Sequence, residues 1–94
     1  DYRNWDKAKV NNFKKLAATV EMDSGETVEY IDYRNPKDVY VKIPTVNIRL
    51  GSFNAGTFDK IHRIPSLLPQ VKMLNKKVKY IDLRWDTNYI KLDE

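Results

Sequence analysis

Ninety-four residues, 41% apolar and 32% charged, suit one compact domain with a single core; the balance excludes a disordered chain, and the length excludes two domains. No apolar run approaches the roughly 20 residues of a membrane-spanning helix, and no signal-peptide pattern is visible. The absence of cysteine excludes disulfide and thiolate chemistry but leaves the compartment open, and a net charge of +4 admits nucleic acid, an anionic membrane surface, an acidic protein or simply a lysine-rich surface.

Residues 1–20 predict a helix, because Trp5, Ala8, Phe13, Leu16, Ala17 and Val20 recur at helical spacing with lysines and asparagines between them. "DSGE" at 23–26 predicts a turn around Gly25. From Val28 the period changes to two, which places Ile31 and Tyr33 on one face and Val28, Tyr30, Asp32 and Arg34 on the other. "RNPKD" at 34–38 is a turn. Val39, Val41 and Ile43 then alternate with Tyr40 and Lys42, and after Pro44 the stretch "VNIRL" at 46–50 points Val46, Ile48 and Leu50 one way. These three segments predict an antiparallel meander.

A loop follows over 51–56, with Thr57 as the expected N-cap of a helix carrying Phe58, Ile61, Ile64 and Leu68 along one side. Pro65 predicts a kink or break in it, and Pro69 its end. Strands are expected at 78–85 and 88–92, with a turn near Asp86 and Thr87. The fold class is therefore α+β: a single five-stranded sheet, antiparallel or mixed, with helices packed on one face.

The chain writes one hairpin twice. "VEYIDYR" at 28–34 precedes "VYVKI", and "VKYIDLR" at 78–84 precedes "NYIKL". Alternation turns isoleucine to the core in both copies and valine, tyrosine, aspartate and arginine to the other face. With their neighbours, Tyr30, Asp32, Arg34, Tyr40, Lys42, Arg49, Tyr80, Asp82, Arg84, Tyr89 and Lys91 make a polar outer face.

Nothing in this pattern brings catalytic groups together. His62 is the single histidine and has no evident partner; each of Asp32 and Asp82 stands two residues from an arginine on its own strand face, so ion pairing accounts for them. No metal-ligand spacing, phosphate-binding glycine loop or nucleophile elbow is present, so the expectation is a non-enzyme without cofactor or metal. The tyrosines and cations of the outer face also fit a platform for single-stranded nucleic acid, though aspartates lie among them and the aromatic octapeptide of such platforms is absent.

"VKYIDLRWD" at 78–86 resembles the "VxYVDLRYD" segment near the end of the extracytoplasmic β domain of the bacterial cell division family FtsQ, called DivIB in Gram-positive bacteria. "VNIRLGS" resembles that family's "IKLxLGR" strand and loop. "TFDKIHRIPSLLP" aligns without a gap with its helix ending on a proline, here Pro69, and "YIDYRNPKDVYVKI" with its earlier hairpin. The resemblance covers residues 28–92, in order. It implies a non-catalytic divisome scaffold supporting septum formation, with residues 1–94 as one β domain of a longer single-pass membrane protein whose membrane helix and POTRA domain precede it. The implied partners are bitopic division proteins of the FtsB/DivIC and FtsL types, bound by strand addition at the C-terminal strand.

Carried over residue by residue, the resemblance makes Arg84 the match to an arginine that salt-bridges an acidic partner residue. Trp85 stands where a contacting tyrosine is common, Thr87 and Asn88 occupy the turn, and Tyr89, Ile90, Lys91 and Leu92 form the receptive edge. Strict alternation instead sets Trp85 on the core face with Ile81 and Leu83, and pairs Arg84 with Asp82 or Asp32. Ser52 departs from the family, replacing an arginine that also touches the partner, and the 52–56 loop is two residues longer.

Overall fold

The computed structural model describes residues 7–74, 76–87 and 89–93. The elements run α1 (Lys7–Ser24), β1 (Tyr30–Asp32), β2 (Val39–Lys42), β3 (Asn47–Gly51), α2 (Thr57–Ile61), α3 (Ile64–Met73), β4 (Val78–Asp82) and β5 (Tyr89–Leu92). The expectations for Trp5 and Asn88 fall outside the described residues.

The five strands form one mixed sheet in the order β1-β2-β3-β4-β5. Neighbours pair antiparallel except β3 with β4, which run parallel because the α2–α3 crossover joins them. Register aligns whole rows across the sheet. Ile31, Val41, Ile48, Ile81 and Ile90 stand opposite one another in turn, as do Asp32, Tyr40, Arg49, Asp82 and Tyr89. The first row faces the helices. Val41, Ile48 and Ile81 are fully buried there with Leu16 and Val20 of α1, Ile61 of α2, and Ile64, Leu67, Leu68 and Val71 of the third helix. α1 lies on α2 and α3 in the helical layer. The second row lies on the opposite face.

Several boundaries differ from the sequence expectation, each for a local reason. α1 continues four residues past Val20 to Ser24, and Gly25, at φ 71°, ends it by donating its N–H to Glu21 O at 2.9 Å. Val28 and Val78 pack against the core instead of sharing the outer face. Val28 precedes the paired strand, and a register shift between Val78 and Tyr80 turns the second valine inward.

Thr57 is not the N-cap: that position belongs to Gly56, with no side-chain cap bond. Thr57 is buried, and its hydroxyl accepts the Asn54 N–H at 3.0 Å and donates to Ser52 O at 3.2 Å, tying the preceding loop together.

The break expected at Pro65 is present, with α2 ending at Ile61 and α3 beginning at Ile64. Pro69, however, lies inside α3, which continues to Met73. The proline is exposed, and the helix beyond it buries Val71, so apolar packing offsets the one absent backbone bond. Pro69→Ala restores that donor while freeing the unfolded chain; the balance is a stabilisation of about 1 kcal/mol, read as a higher urea midpoint.

Candidate functional site

Both copies of the repeated heptapeptide end in the same clasp. In β1, Asp32 accepts the Arg34 backbone N–H at 3.1 Å, its Nε at 3.0 Å and its Nη2 at 2.7 Å. After β4, Asp82 accepts the Arg84 backbone N–H at 3.0 Å, Nε at 3.0 Å and Nη2 at 2.8 Å. A carboxylate that captures the N–H two residues ahead bends the chain, so β1 stops at Asp32, and β4 stops at Asp82 and not at the expected residue 85. The strand pairing repeats as well: Tyr30, Ile31 and Asp32 oppose Lys42, Val41 and Tyr40, as Tyr80, Ile81 and Asp82 oppose Lys91, Ile90 and Tyr89.

Surroundings separate the copies. The first clasp is open to water, with the Arg34 side chain 90% exposed, whereas Asp82 retains 2% exposure. Burial pushes the Asp82 carboxyl upward. The Arg84 side-chain and backbone bonds and the charges of Arg84 and Arg49 outweigh it, leaving the group below its ordinary value. Arg84 runs against the end of β3, where Gly51 adopts φ 72° and a Cβ would meet Arg84 Cγ at 3.0 Å.

Arg49 organises the middle of the outer face. Its Nε and Nη2 bind the Asp38 carboxylate at 2.9 and 2.7 Å, and Nη1 donates to Tyr80 Oη at 3.1 Å. Its guanidinium lies over the rings of both Tyr40 and Tyr80, at 5.5 and 5.4 Å. Hydrogen bonding to Asp38 holds its charge firmly, and burial raises the Tyr40 phenol above its ordinary value. A base-stacking platform needs ring faces open to solvent. Tyr40 and Tyr80 each turn one ring face to Arg49, while Tyr30 and Tyr89 are exposed.

At the C-terminal side, among the described residues, β5 pairs only with β4, which leaves one edge of Tyr89–Leu92 open among them. Alternate N–H and C=O groups of such an edge point away from the sheet. Tyr89 and Lys91 are exposed on the outer face, while Ile90 and Leu92 are half-buried beside the core. Trp85 is not a core residue: alternation ceases at Asp82, Leu83 takes the last buried position, and Trp85 is 60% exposed. The Arg84 guanidinium lies 5.0 Å from its ring. Tyr80, Asp82, Arg84, Trp85, Thr87, Tyr89 and Lys91 thus line one open concavity of about 500 Å³ beside the free edge. Arg84 spends Nε and Nη2 on Asp82; Nη1 has no hydrogen-bond acceptor among the described residues.

His62 does have a partner: its Nδ1 lies 2.7 Å from Asp23 Oδ2, joining the end of α1 to the α2–α3 break. Sequence spacing could not show this pair, which lies 39 residues apart. No cluster of metal-ligating side chains occurs among the described residues, nor a helix long and apolar enough to cross a membrane.

Among the described residues, fold and surface together define an α+β module with an open edge strand flanked by an exposed tryptophan and a clasped arginine. No protein-family model and no curated protein sequence matches this chain.

Proposed function

We propose that this chain is a non-catalytic protein-docking domain of the FtsQ/DivIB β-domain type, which captures a division protein of the FtsB/DivIC or FtsL type by strand addition to β5. The supporting observation is the free edge of β5 beside the concavity that holds Trp85, Arg84 and Lys91. Backbone pairing along the edge supplies affinity, and side chains on the two faces select the partner. Trp85 offers a large apolar surface at small entropic cost. Arg84 keeps its Asp82 bonds and turns Nη1 to an acidic partner residue, so structural and docking roles coexist. On this reading the domain stands outside the membrane at the septum, held by an upstream membrane helix.

The test is capture of the soluble extracytoplasmic part of the DivIC-type protein encoded in the same genome, followed by calorimetry. Wild-type binding is expected to be lost on deletion of residues 88–94 and to weaken at least tenfold in Trp85→Ala, the loss typical of an interface anchor. Undiminished binding by both variants would reject docking at β5.

A further inference from the structure

The stretch from Leu83 to Thr87 has left β4 and not yet entered β5, and it carries both Arg84 and Trp85. Its outer side is held by the Asp82 clasp. Its other support comes from Arg63, a residue distant in sequence. The Arg63 Nη2 donates to Leu83 O at 2.7 Å, and Nη1 donates to Asp86 O at 3.2 Å. One guanidinium thereby bridges the two carbonyls that bracket Arg84 and Trp85. A planar fork suits two acceptors at fixed separation, and bonds from a charged donor are stronger than neutral ones.

Arg63 is itself firmly seated. It occupies the α2–α3 break, where its N–H donates to Lys60 O at 3.1 Å and its carbonyl accepts the Ser66 N–H at 3.2 Å and the Ser66 hydroxyl at 2.9 Å. The break between the helices therefore serves a purpose beyond accommodating Pro65: it aims this side chain at the loop following β4.

We infer that Arg63 is a positioning residue for partner capture, holding the 83–87 loop in the form that sets Trp85 and Arg84 beside the open edge of β5. The inference rests on the docking reading above. Its physical basis is preorganisation: a loop ordered before binding loses less conformational freedom on binding. Trp85 has no such support from the core, being mostly exposed.

The experiment uses the Trp5→Phe background, which leaves Trp85 as the sole tryptophan. Partner-free Arg63→Ala is expected to show lower Trp85 fluorescence anisotropy and more acrylamide quenching than its parent. Its affinity for the DivIC-type extracytoplasmic fragment is expected to fall about tenfold, mainly through faster dissociation. Arg63→Lys reaches one carbonyl and recovers part of both signals; it also serves as the variant should alanine prevent folding, which a melting curve reveals.

A fragment that binds wild type and Arg63→Ala equally overturns the inference and leaves edge docking standing, as does unchanged Trp85 anisotropy and quenching. A fragment that fails to bind wild type overturns both.

Discussion

Arg84→Ala is expected to destabilise the domain by about 2–3 kcal/mol, whereas Arg34→Ala, the same change in the first copy of the repeat, leaves the unfolding midpoint where it was. Both arginines close the same clasp with nearly the same distances. Arg84→Ala takes the guanidinium from a carboxylate that water barely reaches and leaves it the backbone N–H of residue 84. Breaking a buried pair commonly costs about 3–5 kcal/mol; the lower figure allows for the partial exposure of Arg84 and for the remaining field of Arg49. For a chain of this size the melting temperature would drop by about 10–20 °C. Asp32 keeps water as an alternative partner when Arg34 is removed.

The pH dependence of this pair has a definite sign. Folding lowers the Asp82 carboxyl below 3.8, so its stabilisation is complete above that pH and is lost as pH falls through the folded value. In Arg84→Ala the side-chain bond and charge of Arg84 are gone while burial, the backbone N–H of residue 84 and Arg49 remain, so the carboxyl moves up from its wild-type position and the variant loses less stability to acid. The gap between wild type and variant should therefore narrow from pH 7 to pH 4 in urea titrations. A constant gap would show that the Arg84 effect is packing rather than charge.

The second large effect is expected at the end of β3. Gly51→Val combines a left-handed backbone angle, φ 72°, with a Cβ 3.0 Å from Arg84 Cγ, and should cost about 3 kcal/mol. Gly25→Val has the same backbone problem at φ 71° but meets no atom within 4 Å, so it should lose only the conformational part, about 1–2 kcal/mol. The difference between the variants measures the steric term. Because the displaced atoms belong to Arg84, Gly51→Val should also shift Trp85 emission, while Gly25→Val leaves it unchanged. Equal losses for the two glycines would mean that Arg84 moves aside freely.

Much of the sheet was legible because a half-covered sheet repeats every two residues. The isoleucine row and the polar row were both readable as alternation before any pairing was known. The clasps were readable too, since an aspartate two residues before an arginine on one strand face has its partner built in. Alternation misled at Trp85 because it was extended past Asp82, where the carboxylate had already bent the backbone. Pro69 and Thr57 were misjudged for a related reason. Local propensity proposes a stop or a cap, but packing of Val71 and hydrogen bonding in the 52–56 loop decided the outcome. Arg63 carried no local signal at all, because its acceptors lie 20 and 23 residues away.

Residue order alone determined the two matching hairpins, the isoleucine row and polar row within them and the pairing of each aspartate with an arginine, because neighbours along a strand settle those matters. The inward turn of Val28 and Val78 was decided by packing and by the register shift. Which strand closes the sheet was decided only by assembly. With β3 lying between β2 and β4, the second strand of the first hairpin became interior and the second strand of the other became an edge. The same placement buried Asp82 and left Arg34 in water. Identical local chemistry thus ended in different solvation, since burial and free edges belong to the packed sheet as a whole and not to any segment of it.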